Sequence, residues 1–171
     1  MLLLMTVGTG IGTSDEDAKA RLVRVLSYTL SSYRPSQVIY FCSDESKQMI
    51  EPIHTALLHA YNISPPPSQI CMIKKPNDFT ECFEVLYGVA ALYHDEEVVL
   101  EASSGTREMI TAAEIVSFLT RNPVSHVTGE KVGGIIIPGT ERIREMVLFA
   151  AYDRLQLHRA ISAFNHNHFG S

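Results

Sequence analysis

Apolar residues along the chain fall into short continuous runs separated by longer stretches with helical spacing. Four of these runs are five or six residues long, which is typical of strands buried on both faces of a sheet. They are Leu2–Val7, Gln37–Cys42, Gln69–Ile73 and Glu97–Glu101. The pattern therefore predicts four buried strands.

Between the runs, apolar residues recur three and four positions apart, which indicates amphipathic helices. In the first helix the inward face is Ala18, Leu22, Val25, Leu26 and Leu30, and a capping box at Thr13–Glu16 predicts its start. Later helices are predicted over Glu51–Tyr61, Arg107–Thr120 and Glu145–Phe164, and one more is predicted between the third and fourth strands. That helix has Phe79, Phe83, Leu86, Tyr87 and Ala90 inward. For Arg107–Thr120 the predicted inward residues are Met109, Ala113, Val116 and Leu119.

Strict alternation of strand and helix predicts an α/β fold: a Rossmann-like, mainly parallel sheet with helices on both faces. After the fourth helix, Val124–Val127 and Gly134–Ile137 predict a C-terminal hairpin around Thr128–Lys131, and the final helix follows. We expect residues 1–151 to form one ligand-binding domain and residues 152–171 to form a C-terminal helix or linker segment.

In a doubly wound sheet of strand order 3-2-1-4, strands one and four lie side by side, and ligands bind outside their carboxyl ends. The two loops richest in glycine and hydroxyl side chains follow these two strands. The first is Gly8–Thr13 and the second is Ser103–Met109. This coincidence predicts a ligand crevice between the two loops.

The first loop has the composition of an anion-binding turn, since glycines let the backbone approach a ligand and the next helix points free amides at it. Its sequence does not match the dinucleotide fingerprint G-x-G-x-x-G, because Thr13 stands at the sixth position from Gly8. Two alternatives stay open at this point. One is a nucleotide- or NAD-binding enzyme on the same fold, and the other is a tight turn with no ligand.

The second loop combines hydroxyls, backbone amides and a cation, which together suit a phosphate. Ser104, Gly105, Thr106 and Arg107 are the residues concerned. The alternative is that Thr106 only caps the following helix and that Arg107 is a solvated helix residue. Neither loop is followed by the lysine of a P-loop, and Ser104 lacks the G-x-S-x-G context of a hydrolase.

The composition of the chain limits the classes of partner that it is expected to bind. The chain has 171 residues, with 14 Lys and Arg against 19 Asp and Glu, a net charge of −5. A broad basic surface for long DNA or RNA is therefore not expected. The three cysteines have no metal-binding spacing and read as reduced thiols, and we expect neither a metal site nor a cofactor. No apolar run reaches 18 residues, and the apolar start lacks a cationic segment, so we expect a cytoplasmic protein without membrane contact.

Taken together, T-V-G-T-G at the end of the first strand and S-S-G-T-R-E-M after the fourth resemble the two signature motifs of CARF domains, the CRISPR-associated Rossmann folds. The usual second motif is roughly T-G-G-T-K-x-M. Ser103 and Ser104 replace its first two residues and Arg107 replaces its lysine, so a positive charge is kept. The segment from Tyr152 to Phe169 resembles the part that links such domains to an effector. The resemblance covers nearly the whole chain.

The resemblance implies a homodimer that binds cyclic oligoadenylate, the second messenger of type III CRISPR systems in antiviral defence, across its two-fold axis. Cyclic tetra-adenylate is the first expected ligand and cyclic hexa-adenylate the second. Binding would switch an effector, fused or separate. The residues implied to bind the ring are Gly8, Thr9, Gly10, Ile11, Ser104, Gly105, Thr106, Arg107, Gly139 and Thr140, with Arg142 at the far rim.

Some members of the family also open the bound ring without a metal. The resemblance extends this expectation to Thr9, Ser104, Thr106 and Arg107 as hydrogen-bond donors for attack of a ribose 2′-OH on its phosphate. A strong general base is missing from both motifs, so we expect slow turnover that EDTA does not affect.

A third class of function, a dimerisation module with no ligand, predicts no thermal shift with any nucleotide.

Overall fold

The computed structural model describes residues 1–10, 16–132 and 135–168. Its strands and helices alternate along the chain in the predicted way. In order they are β1 Leu2–Val7, α1 Glu16–Tyr33, β2 Gln37–Cys42, a 3-10 turn Ser46–Met49, α2 Ile50–Tyr61, β3 Ser68–Met72, α3 Phe79–Leu92, β4 Val98–Glu101, α4 Arg107–Thr120, β5 Val124–Thr128, β6 Lys131–Val132, β7 Ile135–Ile136, β8 Arg142–Met146 and α5 Leu148–His168. The predicted bounds of β1, β2 and α4 are confirmed, and β3 lies one residue earlier than predicted.

Six strands form one sheet in the order β3-β2-β1-β4-β5-β8. The first five run parallel, and β8 at the edge is antiparallel to β5. The predicted order 3-2-1-4 and the Rossmann-like α/β fold are therefore confirmed. Because β1 and β4 are neighbours, the loops after them lie at the same edge of the sheet.

Alternation of side chains along each central strand supplies two apolar cores. Leu2 and Leu4 of β1 pack with residues of α3 and α4, including Met109. Leu3 and Met5 point to the opposite face, where the core includes residues of α1 and α2. Helices therefore cover both faces, which explains why the central strands are continuously apolar.

The C-terminal hairpin has other partners than the sequence predicts. β5 pairs with β8 over five residue pairs, whereas the Ile135–Ile136 segment pairs with Lys131–Val132 as a separate two-stranded ribbon. The final helix correspondingly begins at Leu148 and not at Glu145, which lies in β8. The physical reason is that β5 needs a partner of its own length to satisfy its backbone groups, and the 135–136 segment is too short.

Three residues predicted to point inward are exposed. Phe79, Tyr87 and Leu119 have exposed fractions of 39%, 42% and 52%. On α3 the buried line is Cys82, Leu86 and Ala90, spaced by four, while the rings of Phe79, Phe83 and Tyr87 stack on one another beside it. Small residues let α3 pack closely on its neighbours, so the aromatic line stays at the surface.

Two further predictions concern the start of α1 and the course of α5. Residues 13–15 of the capping box lie outside the described residues, and α1 is described from Glu16 onward. The division into residues 1–151 and 152–171 stays a prediction, and that boundary falls within α5. Tyr152, near the start of α5, packs edge-on against Phe118, near the end of α4.

Candidate functional site

The first and second loops are in direct contact where β1 and β4 end. The amide of Gly8 donates to Ser104 Oγ at 2.7 Å. Beneath this contact the Thr6 hydroxyl donates to the carbonyl of Glu101 at 3.2 Å and to that of Ser104. We call residues 8–10 and 103–107 the paired loops. The two loops therefore meet, as the sequence predicts.

Glycine at position 8 is required by this contact. A Cβ there would lie 2.8 Å from the amide nitrogen of Gly105, closer than real Cβ atoms come. Gly10 and Gly105 have φ of +86° and +123°, a region that favours glycine. At these three glycines the paired loops present backbone without a side chain, as an anion-binding crevice needs.

Thr106 serves the structure of α4. Its side chain accepts from the amide of Met109 at 3.2 Å, and its hydroxyl donates to the carbonyl of Pro76. Both roles of the hydroxyl are thereby used, in agreement with the capping alternative. The second contact also brings the segment before α3 against the second loop.

That segment carries two lysines which sequence reasoning overlooked. The amides of Lys74 and Lys75 donate to Glu81 Oε1 at 2.7 and 3.0 Å, so one carboxylate holds the backbone of both. Both lysines are exposed. The signal in the sequence was a Lys-Lys-Pro run just before the helix cap Asp78, but only the contact with Thr106 links it to the crevice.

The other predicted residues of the crevice differ in whether their polar groups are free to bind a ligand. Arg107 is exposed, and no hydrogen bond or ion pair of its guanidinium is seen with the residues described. Ser104 is only 5% exposed and accepts from Gly8, which leaves its hydroxyl proton free to donate. Thr9 is half-buried and its hydroxyl lies 3.4 Å from the carbonyl of Gly10. Ile11 lies outside the described residues.

Gly139 and Thr140 have their contacts elsewhere. Thr140 Oγ1 bonds with the carbonyl of Ile137 at 2.8 Å, and the Gly139 amide donates to Glu141 at 2.7 Å. Glu141 in turn pairs with Arg24 of α1 at 2.8 Å. These contacts tie the turn to the middle of α1, and Arg142 lies at the edge strand β8, beside Thr128.

A buried carboxyl lies at the base of the second loop. Glu101 is the last residue of β4, and its side chain is fully buried. Its Oε1 accepts from the amide of Ser103 at 3.0 Å, and Ser103 Oγ accepts from the amide of Val127 at 2.6 Å. Burial raises the pKa of Glu101 to about 7, and the hydrogen bonds from Ser103 only partly oppose this. Nothing in the sequence pattern marked this residue as unusual.

The donors that line the crevice are of the kind that bind anions. Across the part of the chain that the structure describes, no three His, Cys, Asp or Glu side chains form a group that could hold a metal ion. In the same residues, no helix combines the length and the apolar character needed to cross a membrane. Chemically, the crevice offers backbone amides, the Ser104 hydroxyl and cationic side chains, which are donors for phosphate oxygens.

Neither a protein-family model nor a curated protein sequence matches this chain. Solved structures do share its fold. Csm6 of Enterococcus italicus, bound to cyclic hexa-2'-fluoro-hexa-dAMP, is similar with a TM-score of 0.63 and 12% identity, over 97% of this chain and 47% of that one. Can2 of Sulfobacillus thermosulfidooxidans, in complex with cyclic tetra-adenylate, has a TM-score of 0.57 and 12% identity, over 74% of this chain and 32% of Can2.

A third structure, the protein VC1899 of Vibrio cholerae, has a TM-score of 0.54 and 18% identity, over 74% of this chain and 30% of that one. This chain thus spans less than half the length of each of the three proteins. At such identities the likeness establishes the shared Rossmann-like fold.

Proposed function

We propose that this chain is a CARF domain that binds cyclic oligoadenylate as a sensor in a type III CRISPR system. The observation that carries the proposal is the contact between the paired loops, in which Gly8 donates to Ser104 and approaches Gly105. Two glycine loops joined at the switch point of a parallel sheet form a backbone cradle for phosphates. Two structures with this fold hold cyclic oligoadenylate or an analogue of it.

The ring needs more than one crevice. A ring of several phosphates carries several negative charges, and one copy of the second loop supplies a single arginine, Arg107. In a homodimer with two-fold symmetry each protomer contacts half of a symmetric ring, so the cations double. Lys74 and Lys75, exposed beside the second loop, add positive charge to each half.

The expected ring is cyclic tetra-adenylate, with cyclic hexa-adenylate as the second choice. The ligand-binding residues we propose are Gly8, Thr9, Gly10, Ile11, Ser104, Gly105, Thr106, Arg107, Gly139 and Thr140. Among them, Ser104 and Arg107 have polar groups that remain available, whereas Thr106 acts through the loop that it holds.

Ring opening is proposed as a slow secondary activity. A ribose 2′-OH would lose its proton to water and attack its adjacent phosphate. The bond to the 5′ oxygen would break, that oxygen would take a proton from water, and a cyclic phosphate end and a 5′-hydroxyl end would remain. Ser104, Thr9 and Arg107 would donate to the phosphate as charge develops, and Thr106 would position them. EDTA should leave the rate unchanged. An intact ring after hours with excess protein would leave binding as the whole function.

A sensor of this kind switches an effector, which we propose to be fused to it or to act beside it in the cytoplasm. Its role would be in antiviral defence.

A melting screen tests the proposal. Cyclic tri-, tetra- and hexa-adenylate, NAD and ATP are each added to the full chain, because a ligand of the folded state raises the melting temperature by mass action. Stabilisation by cyclic tetra- or hexa-adenylate supports the proposal. A shift with NAD or ATP alone favours the nucleotide-dependent enzyme, and no shift with any of them favours a dimerisation module.

The variant Arg107→Ala tests whether the ring binds in the crevice. Removing a charge-assisted bond should weaken ring binding by about 1.5–3 kcal/mol, roughly ten- to hundredfold in Kd. Titration calorimetry with cyclic tetra-adenylate measures this. Arg154→Ala, at an exposed position of α5, is the matched control and should bind like the parent. Equal binding by both variants would mean that the crevice is not the site.

A further inference from the structure

A buried carboxyl oxygen lies beneath the second loop without a hydrogen-bond partner among the described residues. Glu101 Oε2 has neither a hydrogen bond nor an ion pair with any residue that the structure describes. Ser125, the register partner of Glu101 on the neighbouring strand β5, has its side chain beside the Tyr33 hydroxyl. Buried polar atoms nearly always find partners, so the unpaired oxygen of Glu101 requires an explanation.

A proton on Glu101 would remove a buried charge that has no partner at Oε2. The neutral carboxyl still accepts from the amide of Ser103 at Oε1. The ionised carboxylate has no proton to donate and faces a fully buried environment. The local structure therefore fits the neutral form of Glu101 better than its anion.

The position of Glu101 couples this proton to the crevice. Its backbone carbonyl accepts from Thr6, which also bonds Ser104, and its side chain holds Ser103. A phosphate on the paired loops would place negative charge near the carboxyl, with protein instead of water between them. Like charges in such a medium disfavour the ionised carboxylate, so ligand and proton favour each other.

We propose that the paired loops bind their anionic ligand together with one proton, which Glu101 takes up. The inference rests on the proposed function. The proton comes from solvent and forms the O–H bond at Oε2, and no bond in the ligand changes. In the free protein, the pKa of Glu101 near 7 leaves much of the carboxyl ionised above neutral pH, so there is a proton to be taken up.

Other groups around Glu101 do not supply this proton. Tyr33 of α1 has its pKa raised by burial, and its hydroxyl donates to Glu145 of β8 at 2.7 Å. Tyr33 therefore stays neutral throughout the range of interest. From β1 the register neighbour is Met5, which does not titrate. Glu145 is exposed, which makes it the appropriate carboxylate for a control.

The test is titration calorimetry of the full chain with cyclic tetra-adenylate and cyclic hexa-adenylate, each in two buffers of different ionisation enthalpy. Phosphodiesters and adenine do not titrate near neutral pH, so any proton uptake belongs to the protein. At pH 7.5 we expect uptake of a large fraction of a proton per protomer. Between pH 6.5 and 8.5 the affinity should fall, approaching roughly tenfold per pH unit for each protomer that the ring contacts.

Glu101→Gln keeps the shape and both hydrogen-bonding positions but cannot titrate. It should bind without proton uptake and with an affinity that does not change over this pH range. Glu145→Gln should retain the uptake of the parent. Binding by the parent without uptake, or uptake that persists in Glu101→Gln, overturns this inference and leaves the proposed function intact. If neither ring binds, the proposed function fails and the inference with it. The parent's own measurement decides the matter even if Glu101→Gln does not fold.

Discussion

At the scale of single residues, Gly8 shows how little room the crevice leaves. Its amide bonds Ser104, and the space where a side chain would begin is occupied by the backbone of Gly105. Backbone cannot move aside as a flexible side chain can. The contact between the loops therefore depends on the absence of one carbon atom.

Gly8→Ala should separate the paired loops. The added Cβ would lie 2.8 Å from a backbone nitrogen, so the loops must shift, at a cost of about 1–3 kcal/mol in the free energy of unfolding. Ring binding should fall at least tenfold. Urea unfolding and calorimetry measure the two effects. The control is Gly88→Ala on α3, where nothing lies within 4 Å and stability should rise by up to about 1 kcal/mol. Unchanged binding in Gly8→Ala would contradict the role of the contact.

Glu101 predicts a pH dependence of stability in the absence of any ligand. Its folded pKa is raised from 4.5 to about 7, so the folded state holds the proton more tightly than the unfolded state. The resulting stability is fully present below pH 4.5 and is lost as pH rises through 7. The loss amounts to about 3 kcal/mol.

Glu101→Gln has no such loss, so its stability relative to the parent should increase from pH 5 to pH 8. Urea unfolding of both proteins at each pH gives this difference, and other titrating groups cancel in it. A difference that stays constant with pH would show that Glu101 has an ordinary pKa.

At the scale of elements, the start of α4 organises three segments at once. Thr106 caps the helix, its hydroxyl bonds Pro76 in the segment before α3, and Gly105 ahead of it packs on Met109. The segment with Lys74 and Lys75 is held in turn by Glu81 of α3. The cations near the crevice are thus placed by helix ends and not by the strands.

Thr106→Ala should lower the free energy of unfolding by about 1–2 kcal/mol, because the cap and the bond to Pro76 are both lost. Thr106→Ser keeps the hydroxyl and should restore most of that stability. If Thr106 acts through the structure it holds, ring affinity should follow stability in both variants. Loss of binding in Thr106→Ser with full stability would instead indicate a direct contact of the threonine methyl group with the ring.

At the scale of the whole molecule, α4 carries an exposed line that begins at the crevice. Arg107, Ile115 and Leu119 are spaced by multiples of four and therefore share one side of the helix. α5 adds further exposed apolar side chains, among them Leu157 and Phe164. A second copy seated on this side of α4 would bring two Arg107 side chains toward a common axis.

We expect a homodimer that buries the crevice-side helices and part of α4. Light scattering should give twice the mass of the chain. Ile115→Glu would place a charge in the interface and should give a monomer with weakened ring binding. Leu58→Glu, at an exposed apolar position of α2, is the control and should remain dimeric. A parent protein that is strictly monomeric with and without the ring would contradict this prediction.

Much of the architecture was predictable from local pattern. Continuous apolar runs are found where strands are buried on both faces, and helical spacing separates them, so β1, β2 and α4 have their predicted bounds. Alternation of strand and helix in turn restricts the sheet to few topologies, and the observed order is among them. Glycines and hydroxyls after β1 and β4 marked the candidate crevice because those residue types serve a local backbone need.

Tertiary structure alone decided how these pieces meet. The bond from Gly8 to Ser104 spans 96 residues, and that from Thr106 to Pro76 spans 30. A periodicity of two or 3.6 residues along the chain carries no information about contacts between residues so far apart in the sequence. The same holds for the pairing of β5 with β8 and for the burial of Glu101, whose position at a strand end looks ordinary in the sequence. Local pattern determines which residues form an element and which face is apolar, whereas the partners of a polar group depend on the packing of distant segments.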